Sequence, residues 1–183
     1  MAIIYRAELS PTKPEILRTL LEQRPWGEAG HVEVLGAYRF DDPEGEVGIE
    51  CHLAQVGETI FHLPLTYRAQ PLDEAEESLV TTLQHSVLGT RYVYDGLGDE
   101  VALDCFRRAL SGEQEQAELA IHADDGQHVE TRPQSVNLEL ELDAGAQTPT
   151  PDEFLDGLPF TVVRTVGGLD GAVRLVAARE GGR

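Results

Sequence analysis

Alternation of apolar and polar positions marks the chain between Val32 and Tyr67 as a run of strands. In Glu46 to Leu53 (EVGIECHL), Val47, Ile49, Cys51 and Leu53 share one side, while Glu50 and His52 take the other. Thr59 to Tyr67 (TIFHLPLTY) repeats the pattern with Phe61, Leu63, Leu65 and Tyr67. With Val32 to Phe40 (VEVLGAYRF), these predict a three-stranded antiparallel meander that has one apolar side. Asp41-Asp42-Pro43-Glu44-Gly45 and Gly57 supply the turns, and Pro64 predicts an edge or a bulge in the third strand.

Helical spacing appears in three places. After a first strand over Ile3 to Leu9, Thr12 is a candidate N-cap, with Pro14 and Glu15 in the first turn. Ile16, Leu17, Leu20 and Leu21 line one face, Pro25 ends the helix, and Trp26 is expected to plug the core edge. A second helix is predicted over 73–88. Asp73 and Glu76 have capping-box spacing, Leu79, Val80, Leu83, Val87 and Leu88 form a stripe, and Gly89 is the stop. One face of that helix should lie on the sheet, before a strand at Arg91 to Tyr94. Asp99 caps a third helix carrying Val101, Leu103, Cys105, Phe106 and Leu110, which ends at Gly112.

Beyond Gly112 the texture becomes strand-like. Gln116 to Ala123, Ser135 to Leu142, Phe160 to Val166 and Ala172 to Ala178 read as four short strands. Asp124-Asp125-Gly126 is a turn, and Gly167 to Gly171 joins the last two strands as a hairpin. The predicted class is α+β: a curved antiparallel sheet packed by two or three helices, with a β-rich C-terminal segment. The expected division is a first domain over 1–112 and an extension over 113–183, packed on the first.

Charge narrows the partners. The chain of 183 residues has 33 acidic against 14 basic residues, a net charge of −19, and Lys13 is its one lysine. So negative a surface repels phosphate backbones and anionic lipid, which argues against nucleic acid and membrane as partners. It leaves a protein with a basic patch, or a neutral sugar. Cys51 and Cys105 form no framework and read as a reduced pair. The first twenty residues hold no apolar h-region and no run of 18 apolar residues occurs, so the expected location is the cytoplasm.

Two groupings could carry chemistry. Glu50, His52, His62 and Arg68 would share the non-core side of the meander, and Glu50, His52 and His62 are weak candidate metal ligands; the competing reading is a solvated or helix-covered polar face. Thr66, Tyr67, Arg68, His85, Tyr92 and Asp95 would gather around one end of the sheet as a tentative ligand site, although the same residue types make ordinary buried networks. His85, near the end of the second helix, would be favoured there as a cation by the helix dipole. No cofactor is expected and no catalytic residue is assigned.

Leu63 to Leu72 (LPLTYRAQPL), Thr82 to Gly96 (TLQHSVLGTRYVYDG), Arg24-Pro25-Trp26 and Gly45 to Glu50 resemble the N-terminal cap region of actinobacterial maltokinases, and more closely small stand-alone cap-like proteins of that type. The resemblance covers roughly the first 110 residues. It implies an α/β cap without its kinase core, because no Gly-rich phosphate loop, no catalytic-loop aspartate and no suitably placed lysine accompany it. The expected function is a non-catalytic module that binds a partner protein, such as a kinase or glucan-metabolism enzyme, or a carbohydrate in glycogen or trehalose metabolism. The alternatives are a small ligand-binding protein or enzyme with a site near His85, Tyr92 and Arg68, and self-association through a sheet edge.

Overall fold

The computed structural model describes residues 2–5, 7–110, 112–122, 128–132, 135–142 and 173–179. In chain order the elements are β1 (Ala2–Tyr5), β2 (Leu9–Ser10), α1 (Lys13–Gln23), β3 (Glu33–Asp41), β4 (Gly48–Val56), β5 (Thr59–Arg68), β6 (Leu79–His85) and β7 (Gly89–Asp95). They continue with α2 (Glu100–Leu110), β8 (Leu119–His122), β9 (His128–Arg132), β10 (Val136–Leu142) and β11 (Val173–Arg179). Six strands form one curled, half-barrel sheet in the order β2-β6-β7-β5-β4-β3, and every neighbouring pair is antiparallel. The fold is therefore α+β, a curved antiparallel sheet with two helices.

Local chemistry explains both helices. At the start of α1, Glu15 Oε2 accepts from the Thr12 backbone N–H at 2.8 Å and from its hydroxyl at 2.7 Å, which supplies partners before the helical ladder begins. Asp99 does the same for α2, its Oδ1 accepting from Val101 N at 3.0 Å. The apolar stripe of α1 (Ile16, Leu17, Leu20, Leu21) packs with Ala54, Phe61, Leu63, Leu65 and Val93, and Trp26 closes the edge of that cluster. Ala102, Cys105, Phe106 and Ala109 of α2 pack instead with Tyr38, Phe40, Ile49, Cys51 and Leu53.

Both faces of the meander are thus covered, not one as its alternation suggested. Register shows how. Tyr38, Cys51 and Pro64 lie opposite one another and belong to the α2 face; Ala37, His52 and Leu63, one position on, belong to the α1 face. Pro64 stands where one side of β5 has no strand partner, since the ladder to β7 covers only Leu65–Arg68.

The helix predicted over 73–88 is a β-hairpin. A short 3-10 turn at Glu76–Ser78 leads into β6, and Gly89, at φ 73°, turns the chain into β7 instead of ending a helix. Residues Leu79–His85 make their backbone hydrogen bonds across to β7, so a strand partner four residues away outcompeted the helical spacing. The first strand is also divided: β1 pairs in parallel with β8, and β2 pairs with β6.

Ser135 and Val136 lie at the edge of the large sheet. Val136 is buried in the α2-side cluster, and Ser135 Oγ accepts from Ala37 N at 2.9 Å. A Cβ on Gly36 would stand 2.8 Å from Val136 Cγ2, so glycine is what permits this approach. The strand β9 was not foreseen; β10 pairs with β11. The expected strand at 160–166 and the turns at 124–126 and 167–171 lie outside the described residues.

Candidate functional site

On the α1 side of the sheet edge, the pairs Arg39–Glu50 and Ala37–His52 set three polar side chains on one face of β3 and β4. The first residue of α1 completes the group: Lys13 Nζ lies 2.6 Å from Glu50 Oε1, and Arg39 lies 3.0 Å from the same oxygen. Tyr67 donates its hydroxyl to Glu50 Oε2 at 3.4 Å. Lys13, Ala37, Arg39, Glu50 and His52 line a cleft of about 260 Å³, walled also by Val34, Gly36, Leu119 and Ser135.

The electrostatics of the cleft turn on Glu50. Burial opposes its ionisation, but Arg39, His52 and Lys13 together override burial and hold the carboxyl well below the usual range. His52 is 1% exposed and neither ring nitrogen has a hydrogen-bond partner; Nε2 stands 3.4 Å from Glu50 Oε2 without hydrogen-bond geometry. A buried polar ring without a hydrogen bond is uncommon.

The candidate metal grouping of Glu50, His52 and His62 is not assembled. Glu50 and His52 lie on the α1 face, whereas His62 sits opposite Leu53 on the α2 face, one position out of step. There His62 Nε2 meets Tyr38 Oη at 2.8 Å, its ring stacks on Tyr38, and its edge contacts Phe106. Among the described residues no group of three or more His, Cys, Asp or Glu is arranged to hold a metal ion.

The candidate ligand residues fall into separate networks. Thr66 and Arg68 converge on Asp99, which is fully buried: Thr66 donates at 2.7 Å, and Arg68 makes two bonds of 2.7 Å. Those bonds override burial and keep the Asp99 pKa low. Tyr92 is the cross-strand neighbour of Arg68. Tyr67 belongs to the Glu50 group, and Asp95 pairs with Arg24 at 2.9 Å while accepting from Leu97 N at 3.0 Å. His85 lies at the far end of β6, where its Nδ1 accepts from Val87 N at 3.2 Å and Leu88 N at 3.1 Å. With no helix there, no dipole favours its charge; burial and Arg91 lower its pKa.

Sequence reasoning missed Arg39 and the cleft role of Lys13. The Arg39–Glu50 pair was within reach, because a turn at Asp42–Gly45 puts them opposite one another. The approach of Lys13 depends on where α1 lies and has no local signal.

Ion pairing also shapes the outside. Lys13, Arg24, Arg39, Arg68, Arg107 and Arg108 each pair with a carboxylate, the last with Asp104. Glu28, Glu44, Glu46, Glu58, Asp73, Glu74, Glu76 and Glu77 remain exposed. Among the described residues no helix is long and apolar enough to cross a membrane.

Comparison with known families finds a match to the maltokinase N-terminal cap domain over residues 21–99, from the last turn of α1 to Asp99. No curated protein and no solved structure matches the chain. In that match no kinase catalytic domain is included. Residues 21–99, which hold the meander and the β6–β7 hairpin, are similar to the maltokinase N-terminal cap domain.

Proposed function

We propose that this chain is a non-catalytic module of the maltokinase-cap type that docks onto a partner protein with a basic patch, a kinase or another enzyme of glycogen or trehalose metabolism. The observation that carries this reading is the distribution of charge. A net charge of −19 combines with basic side chains drawn into pairs with carboxylates, so the exposed groups available to a partner are predominantly acidic.

The test is a binding measurement between the purified chain and a purified maltokinase core lacking its own cap, repeated from low to high salt. Binding that weakens steeply with salt supports the proposal. Absence of binding, or affinity that survives high salt, overturns docking through charge. Transfer of phosphate from ATP to maltose by the chain alone would overturn the non-catalytic reading.

A carbohydrate-binding role is favoured by one further observation, the buried His52 ring, whose nitrogens make no hydrogen bond beside Arg39 and Glu50. Hydroxyl groups both donate and accept, and would satisfy such a set. A rise in melting temperature with maltose, trehalose or glucose supports it, and a flat response to all three removes it.

A further inference from the structure

We propose that the cleft between the start of α1 and the β3–β4 edge is a binding site for the oxyanion group, a phosphate or carboxylate, of a small molecule, held by Lys13, Arg39 and His52. Charge is the first argument. Among the described residues that line the cleft, Lys13 and Arg39 each carry a positive charge and Glu50 a negative one, inside a protein of net charge −19. A metal cation entering would meet both basic groups; an anion would meet both as donors.

Unsatisfied hydrogen-bonding capacity is the second argument. Lys13 has three N–H donors, and its hydrogen bond in this group goes to Glu50 Oε1. His52 lines the cleft, is almost wholly buried, and neither ring nitrogen makes a hydrogen bond. Leaving such a group without a hydrogen bond is costly, and a ligand oxygen beside the ring would recover that cost. Size is the third. A cleft of about 260 Å³ is small for an extended sugar chain and adequate for a phosphate or carboxylate on a short carbon skeleton. The site does not depend on the docking function, and the two fail separately.

The experiment follows the His52 ring by NMR, assigned with His52→Gln, as inorganic phosphate, acetate or maltose is added at constant ionic strength. The expected result is a saturable shift of the His52 signals with phosphate or acetate and none with maltose; which anion acts identifies the charged group. Lys13→Met, at a side chain 37% exposed, should keep the fold and weaken the anion at least tenfold. Glu50→Gln removes the competing carboxylate and should tighten it. His52 signals unmoved by either anion would overturn the proposal, as would a shift indifferent to Lys13→Met with an unchanged melting temperature. Saturation by maltose alone would overturn it in favour of a neutral sugar.

Discussion

Asp99→Ala should be among the most damaging single changes in this fold. The Asp99 carboxylate is fully buried and does three things: it caps α2 through Val101 N, accepts from the buried Thr66 hydroxyl, and pairs bidentately with Arg68. Loss of the cap costs about 1 kcal/mol. Stranding Thr66 without an acceptor costs about 1–3 kcal/mol. Arg68 keeps some access to water, with 20% of its side chain exposed, so its loss adds only about 1 kcal/mol to the sum. The total, about 3–5 kcal/mol, agrees with the usual cost of breaking a buried pair and is a large part of a typical domain's stability. Asp99→Asn keeps an acceptor oxygen for the cap or for Thr66 and should cost about half as much. Urea unfolding with an unchanged m-value is the assay. A loss below about 1 kcal/mol for alanine, or an asparagine variant as unstable as the alanine one, would refute the account. The pH response has a definite sign. Because the folded pKa of Asp99 is depressed, its contribution is complete above the unfolded pKa and is lost as pH falls through the folded value; Asp99→Asn should flatten that slope.

Two other outcomes follow from single side chains. The His85 Nδ1 that accepts from Val87 and Leu88 must be unprotonated, and its pKa is lowered, so this support exists above the unfolded pKa and is lost as pH falls through the folded one. Amide-exchange protection at Val87 and Leu88 should therefore drop on acidification, and His85→Ala should lower it at all pH; protection unchanged in the variant would contradict the assignment. Cys51 and Cys105 are fully buried, and burial first of all lifts the Cys105 thiol to about 11 and the Cys51 thiol higher. For Cys105 that cuts the thiolate fraction roughly a hundredfold, so alkylation near neutral pH should be slow until urea unfolds the chain. Fast labelling of the native protein would show that the thiols are exposed.

Elements carried by local chemistry were legible. The caps at Thr12 and Asp99 and the meander turn at Asp42, whose side chain accepts from Glu44, Glu46 and Val47, rest on residues close in sequence. The β6–β7 hairpin was misread for a physical reason. A register shift between Leu79 and Thr81 interrupts the alternation of β6, so Leu79, Val80 and Leu83 imitate helical spacing while Val80, Thr81 and Thr82 carry the β-branched signature of a strand. Gly89 suited either reading, since a left-handed residue ends helices and turns hairpins alike. The metal grouping failed at finer grain. His52 and His62 lie on adjacent strands, yet a one-position offset sends their rings to opposite faces, and no composition signal encodes that offset. The cleft was out of reach because Lys13 and Glu50 meet only through the placement of α1 on the sheet.

The parallel ladder between β1 and β8 sets an order of assembly. Ala2 pairs with Leu119 and Tyr5 with His122, so most of the chain must be synthesised before its opening strand has a partner. The β3–β5 meander closes through short turns and can gather its apolar residues much earlier. On the ribosome, β1 therefore emerges well before the strand with which it pairs. Until residues 119–122 arrive, Ala2–Tyr5 is an unpaired strand, and that interval is when the nascent chain is most open to wrong pairing or to a chaperone.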